Sequence, residues 1–206
     1  MPNFYELAFT PAVKEEQQKH GSRAQYLRME KSGTHGSELG PDEQHFISLR
    51  DSFYMASVSE TGWPYVQHRG GPPGFVHVLN PKQIGFADFR GNKQYISLGN
   101  FDKDDRVALF FMDYPNQTRL KVLGHVEIHE GDAAAPALIE SLRAADYSAV
   151  IERVILIRTE GFDWNCPQHI TPRFTASEIE AELAPLRRKL AALEAENAAL
   201  KAAQKP

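Results

Sequence analysis

The sequence predicts a mainly β fold of the α+β class, in which an antiparallel barrel or sandwich is flanked by helices. The first observation is a series of short apolar runs typical of strands, at residues 53–58, 64–68, 75–79, 84–88, 107–112, 120–128 and 154–158. The second is that Gly, Pro, Asn and Ser clusters separate most of these runs. The third is that only two helical patterns, at residues 93–98 and 133–145, interrupt the series. So few helices argue against a doubly wound parallel sheet.

Helices are predicted ahead of the first strand. Thr10 is a good N-cap residue and Pro11 suits the first helical position, so a helix begins there and continues to about residue 19. A second helix covers residues 24–31, and residues 32–41 form a polar loop that contains glycine. Residues 42–50 then show the apolar spacing of another helix.

Composition sets the broad class of the protein. A chain of 206 residues with 42% hydrophobic and 24% charged residues suits one folded domain with a tail. The net charge of -4 gives no sign of a basic surface for nucleic acid, and no apolar run is long enough to span a bilayer. We divide the chain into an N-terminal helical extension (1–41), a globular domain (42–174) and a C-terminal tail (175–206). We expect a cytoplasmic protein with no nucleic-acid or membrane partner.

Several catalytic patterns are absent from the sequence. It contains no G-x-S-x-G elbow, Walker loop, G-x-G-x-x-G turn or H-E-x-x-H pair. The eight histidines lack the spacing of metal ligands, so we expect no metal site. The single cysteine, Cys166, excludes an internal disulfide and fits a reducing compartment. It lacks the helix start that activates a catalytic thiol, which favours a small buried thiol.

The C-terminal tail carries a heptad pattern. Its a and d positions are Ile179, Leu183, Leu186, Leu190, Leu193, Asn197 and Leu200. An Asn at an a position fixes register and dimeric state, and the flanking g and e residues are opposite in sign in a parallel pair. Residues 175–178 form a capping box ahead of the seam. We therefore expect a parallel two-stranded coiled coil that begins before Pro185, or only there, at the start of a separate helix. A single solvated helix is the alternative.

Two basic clusters that contain glycine lie at the ends of predicted strands, about one strand pair apart. They read Gln67-His68-Arg69-Gly70-Gly71 and Arg90-Gly91-Asn92-Lys93. Arginine offers a planar fork of donors to phosphate oxygens, lysine offers a point charge, and glycine lets backbone N–H groups approach an anion. Each cluster alone fits a hairpin turn with solvated charges. The two together, in an acidic chain, favour a site for a phosphorylated cofactor.

With these strands in place, the central region resembles the pyridoxamine 5'-phosphate oxidase-like family of FMN-binding split barrels. The resemblance covers about residues 46–173, and the segments that carry it are residues 65–76, 85–94, 106–111 and 119–127. It implies a six-stranded antiparallel split barrel with Greek-key connections. It also implies a homodimer that holds FMN at the interface between its two subunits.

The resemblance assigns a cofactor-binding role to individual residues. Those at the phosphate and ribityl end are Arg90, Asn92, Lys93 and Gln94, with Asp88 in the same matched segment, and a helix that opens at Lys93 would add its positive dipole. Those that line the flavin ring are Gln67, His68, Arg69, Phe75, Val76 and His77. Arg119 and Lys121 would reach the N1/O2 side of the ring from the partner subunit, unless they only form a solvated strand face. Trp164 resembles the aromatic residue near the flavin, or else it is a core or interface residue.

One departure from the family limits the function that the resemblance implies. The R-x-H-D-R signature that binds the substrate phosphate is absent, and His169 and Arg173 occur at a different spacing. We therefore expect an FMN-dependent oxidoreductase that passes hydride to or from flavin N5 and acts on an unassigned small molecule. The catalytic side chains are unknown. The alternatives are a non-catalytic flavin carrier and a structural assembly protein. The electron donor, and the choice among FMN, FAD and a deazaflavin, cannot be read from the sequence.

Overall fold

The structure is a computed structural model that describes residues 3–31, 36, 38–144, 146–164 and 167–203. The expectation of a buried thiol at Cys166, and part of the predicted loop at residues 32–41, lie outside the described residues.

The central feature is one antiparallel sheet curled into a split barrel. Its strands are β1 (Ser52–Val58), β2 (Pro64–Gly70), β3 (Val76–Asn80), β4 (Gln83–Phe89), β5 (Arg106–Asp113), β6 (Thr118–His129) and β7 (Ile151–Trp164). Their order across the sheet is β2-β1-β5-β6-β7-β4-β3. The split-barrel fold is confirmed, but the expected count of six strands is wrong for the described residues. All seven apolar runs of the sequence form paired strands, including the short edge strand β3, which pairs with β4.

Helices flank the sheet and follow it. They are α1 (Phe4–Ala8), α2 (Pro11–Lys19), α3 (Arg23–Lys31), α4 (Pro41–Ser48), α5 (Ile96–Phe101), α6 (Ala135–Leu142) and α7 (Ala176–Ala203). The predicted start of α2 is confirmed, because the Thr10 hydroxyl accepts a hydrogen bond from the Val13 N–H and Pro11 takes the first helical position. The sequence analysis did not predict α1, which the Asn3 side chain caps.

A cluster of aromatic rings forms the centre of the core. The Phe53 ring lies 5.9 Å from Phe75, 5.3 Å from Phe86 and 5.0 Å from Phe111, and all four side chains are buried. Rings at these separations add favourable quadrupole contacts to the hydrophobic effect. Because these residues come from β1, β4, β5 and the turn before β3, the cluster fixes the strands that frame the functional site.

Strand β7 is longer than the predicted run at residues 154–158. Its first half pairs with β4, and most of its length pairs with β6. The register shifts between Leu123 and Gly124, which leaves Glu160 as an extra residue on β7. A Cβ atom at Gly124 would lie 2.5 Å from the Arg158 carbonyl oxygen, so glycine permits this close approach.

Helix α5 begins three residues later than expected. Lys93 was expected to open it, but Lys93 and Tyr95 have φ values of 60° and 53°. A right-handed helix cannot include such residues, so the first helical residue is Ile96. The helix dipole therefore acts near Tyr95 and not at Lys93.

Helix α7 is one continuous helix of 28 residues. It includes Pro185, so the expected alternative of a separate helix that starts at Pro185 is wrong. The capping box ahead of the helix is confirmed. The Thr175 N–H donates to the Glu178 carboxylate (2.7 Å) and the Glu178 N–H donates to the Thr175 hydroxyl (3.3 Å). No helix in the described part of the chain is long and apolar enough to cross a membrane.

Candidate functional site

A polar cleft of about 150 Å³ lies where β2, β4 and the start of β7 meet the loop before α5. Seven of the predicted site residues line it, namely Gln67, His68, Arg69, Phe75, Asp88, Asn92 and Lys93. The two basic clusters of the sequence, although about 20 residues apart, therefore contribute to one cleft. Phe75 and Phe86 form part of its apolar wall and connect it to the aromatic core.

A buried carboxylate between two arginines forms the floor of this cleft. One Asp88 oxygen accepts from Arg69 Nη1, and the other accepts from Arg153 Nη1 at 2.8 Å. The β4–β7 register explains the second contact, because Asp88 and Arg153 are direct partners in the ladder. A buried charge is tolerated only when it is paired in this way.

The charge network continues from Arg153 towards the surface. Its Nε donates to Glu130 at 3.0 Å and its Nη2 donates to Glu152 at 3.2 Å. Burial acts to lower the pKa of Arg153, but hydrogen bonds to Glu130 and Asp88 outweigh it and raise that pKa. Arg90 Nε donates to Glu152 at 2.9 Å, and this bond is the main reason why the pKa of Glu152 is lowered. The Glu152 carboxylate is therefore held in its ionised form.

Arg69 is incompletely satisfied. Its side chain is 13% exposed, and burial lowers the pKa of its guanidinium, which still remains charged. The ion pair with Asp88 engages Nη1, but the buried Nε has no hydrogen-bond partner among the described residues. Most buried donors have an acceptor, so this N–H group is a donor that a group bound in the cleft could satisfy.

The loop at residues 90–95 forms the rim of the cleft. The Asn92 side chain accepts from the Gln94 N–H at 3.1 Å, which holds the turn, and Lys93 adopts a left-handed backbone conformation. At Gly91 a Cβ atom would meet nothing within 4 Å, so the backbone there is open to an approaching group. Lys93 lines the cleft and has no ion pair within the part of the chain that the structure describes.

Other predicted ring-lining residues lie away from the cleft. Val76 is buried in the core. His77 faces a second groove beside α4, where burial lowers its pKa. Trp164 Nε1 donates to Glu43 at 2.7 Å and its ring packs edge-on against Phe46, so Trp164 joins β7 to α4.

Arg119 and Lys121 also lie outside the cleft, on the part of the sheet formed by β5 and β6. The Arg119 guanidinium lies 5.5 Å from the Phe110 ring centroid. Lys121 pairs with Asp163 at 2.6 Å and lies 4.8 Å from the Phe4 ring. Lys121 also lines a separate, mostly apolar groove of about 370 Å³. Neither residue lines the cleft of its own chain.

The sequence analysis missed two charged residues of the cleft, Glu152 and Arg153. They precede the predicted strand at residues 154–158, so the apolar pattern does not place them next to β4. One signal could have found them. A charged residue between two apolar ones near the end of an apolar strand, such as Asp88 between Ala87 and Phe89, requires a cationic partner nearby if it is buried. Arg153 directly precedes the predicted strand at residues 154–158, so it is a candidate for that partner.

The chain belongs to the pyridoxamine 5'-phosphate oxidase family, because the family model with that description matches residues 39–166. The match includes all seven strands, β1 to β7, and every residue of the cleft described above. No curated protein matches the chain.

Several solved structures are similar to this chain, and three of them illustrate the range of their descriptions. A candidate pyridoxamine 5'-phosphate oxidase from Lactobacillus delbrueckii is 22% identical, with 62% of this chain and 95% of that chain covered and a TM-score of 0.48. An FMN-binding protein from Syntrophomonas wolfei is 10% identical (72% and 97% covered, TM-score 0.49). HutZ, the heme storage protein from Vibrio cholerae, is 14% identical (61% and 94% covered, TM-score 0.43). All three identities are below 25%, so the likeness concerns the fold alone.

Proposed function

We propose that the protein binds FMN in the polar cleft and acts as a flavin-dependent oxidoreductase on an unassigned small molecule. The observation that carries the proposal is the buried Arg69 Nε, which has no acceptor among the described residues. It belongs to a side chain that lines a cleft within the family match. A phosphate or polar flavin edge would supply that acceptor. Family membership makes a flavin the group to test first.

The residues of the cleft fit a phosphorylated cofactor. Lys93 and the open backbone at Gly91 can meet phosphate oxygens from the rim. Gln67 is held by a 2.8 Å hydrogen bond from Ser97, which positions its amide at the cleft. Phe75 offers an apolar surface to a ring. The bound flavin would supply hydride transfer, and these side chains would bind and orient it.

We further propose that a second copy of the chain completes the site. A cleft of about 150 Å³ is smaller than the roughly 300–1,000 Å³ of typical ligand pockets. The groove beside Lys121 also contains Tyr54 and Val66, which are 39% and 60% exposed. Exposed apolar surface of this kind is typical of an interface. Arg119 and Lys121, on that part of the sheet, would then reach the cleft of the partner.

A visible spectrum of freshly purified protein, with mass spectrometry of the released chromophore, tests the cofactor. Titration of the apoprotein with FMN and riboflavin then tests the phosphate end. In Lys93→Ala we expect FMN affinity to fall by about 1.5–3 kcal/mol, roughly ten- to a hundredfold, while riboflavin binding changes little. Lys103→Ala, which removes an exposed lysine outside the cleft, is the matched control. An equal loss for both ligands in Lys93→Ala would reject the assignment.

A non-catalytic flavin carrier is the second candidate. The observation that favours it is that Asp88 and Glu152 are both paired with arginines, so neither is available as a general acid. Stopped-flow mixing of the flavin-loaded protein with NADH or NADPH separates the two candidates. An oxidoreductase that uses these donors becomes reduced, whereas a carrier stays oxidised.

A further inference from the structure

Helix α7 exposes an unpaired apolar stripe. None of its 28 residues is buried. Six large apolar side chains are 37–62% exposed along it, namely Ile179, Leu183, Leu186, Leu190, Leu193 and Leu200. Their spacing of four and three residues places them on one face of the helix, where they form a seam about three heptads long. A solvated helix has no need of such a regular stripe.

The proline in α7 does not interrupt this seam. In the heptad frame that puts Leu183 at a and Leu186 at d, Pro185 takes position c, which faces away from the seam. The helix is continuous from Ala176 to Ala203, so the seam residues on either side of Pro185 belong to the same helix. The apolar stripe is therefore available over its whole length.

We propose that α7 pairs with α7 of a second copy of this chain as a parallel, in-register, two-stranded coiled coil. In this arrangement each g residue faces the e residue five positions later on the other helix. The three pairs are Glu182 with Arg187, Lys189 with Glu194, and Glu196 with Lys201. All three are opposite in sign, so the surface is complementary to itself.

Asn197 distinguishes the parallel pair from an antiparallel one. The charges alone permit both, because in an antiparallel pair Arg187 would face Glu194. That arrangement would place the Asn197 amide opposite Leu186, where it has no hydrogen-bond partner. In the parallel register Asn197 faces its own copy, and the two amides can bond to each other.

The charged residues at the edge of the apolar seam on α7 are exposed to solvent. Arg187 Nη1 contacts Glu180 at 2.7 Å within one chain, and both side chains are more than half exposed. Glu180 and Arg187 are consecutive e residues, so Arg187 already lies along the edge of the seam. Arg187 can leave Glu180 and pair with Glu182 of the second copy by rotation of the Arg187 side chain alone.

Disulfide trapping in the full-length protein tests the pairing. Leu186→Cys and Leu193→Cys are made separately in a Cys166→Ser background, with Ala195→Cys, at the outward f position, as the matched control. Because opposed thiols have a high effective concentration, we expect both d variants to crosslink at least about tenfold faster than the control under mild oxidation. Circular dichroism checks that each variant folds.

Three outcomes would overturn the proposal. They are a monomeric protein, equal crosslinking at 195, and crosslinking at 193 without crosslinking at 186. The last would indicate an antiparallel pair, in which the two 186 positions lie far apart. The helix pairing does not depend on the proposed flavin site. Measurement of the flavin content of the same samples therefore tests the proposed function separately from the pairing. Crosslinked protein without flavin contradicts only the proposed function, and flavin-loaded protein without crosslinks contradicts only the pairing.

Discussion

Replacement of Asp88 with Asn tests whether this one carboxylate holds the arginines at the floor of the cleft. The amide has the same shape, but it keeps one acceptor oxygen and turns the other into a donor. Either Arg69 or Arg153 would then face an N–H group instead of an oxygen. The Asp88 and Arg153 side chains are each 5% exposed, so solvent cannot screen the lost charge.

The size of the effect follows from the partners that remain. Loss of one partner of a buried ion pair typically costs about 3–5 kcal/mol. Arg153 keeps Glu130 and Glu152, whereas Asp88 is the one ion-pair partner of Arg69 within the described residues. We therefore expect the free energy of unfolding to fall by about 3 kcal/mol, near the lower end of that range. For a chain of this length, that loss lowers Tm by roughly 6–12 °C.

Urea unfolding of the apoprotein at pH 7.5, followed by circular dichroism, measures this loss. The protein concentration must be the same for each variant, because association shifts apparent stability. Glu180→Gln, which removes an exposed partner of Arg187 on α7, should leave the midpoint unchanged. If the free energy of unfolding of Asp88→Asn fell by less than about 1 kcal/mol with an unchanged m-value, the buried ion pairs would not be what stabilises the cleft.

Two further predictions concern pH and substrate. Burial lowers the pKa of His77 below 6.5, so as pH falls through 6.5 the unfolded chain takes up more protons than the folded one. Stability should therefore fall between pH 7.5 and 5.5, and His77→Gln should remove part of this fall in urea midpoints; an unchanged pH dependence would contradict the assignment. Because the R-x-H-D-R signature is absent, we expect negligible formation of pyridoxal phosphate from pyridoxine or pyridoxamine phosphate. An aerobic assay that shows turnover typical of a dedicated enzyme would refute this.

The strands were predictable because each contributes a short apolar run to one shared core. Phe53, Phe86 and Phe111 are buried residues of three such runs, and the alternation around them indicates which side faces inward. The two basic clusters could also be assigned to one site, since β2 and β4 both end at the cleft. Local patterns therefore determine most of the sheet and the rim of the site.

The remaining parts depend on backbone geometry and on contacts distant in sequence. The late start of α5 results from positive φ angles at Lys93 and Tyr95, which are not glycines and give no sequence signal. The length of β7 depends on a bulge at Glu160, which the partner strand determines. Arg153 joins the site only because the β4–β7 register places it beside Asp88. None of these features follows from periodicity alone.

Strand β7 connects the cleft with the N-terminal segment of the chain. Arg153, near its start, contacts Asp88 in the cleft, whereas Asp163, near its end, accepts a hydrogen bond from the Tyr5 hydroxyl at 3.2 Å. Between them, a Cβ atom at Gly161 would lie 2.6 Å from the Phe4 backbone nitrogen, so the N-terminal segment packs directly on the strand.

This arrangement gives the N-terminal segment a role in the geometry of the proposed site. Lys121 pairs with Asp163 and lies beneath Phe4, so α1 helps to set the position of a cation that we assign to the cleft of the second copy. Burial and the nearby Asp163 carboxylate raise the pKa of Tyr5, which therefore stays protonated and keeps donating its hydrogen bond at neutral pH. The hydrogen bond that joins α1 to β7 therefore does not depend on pH near neutrality.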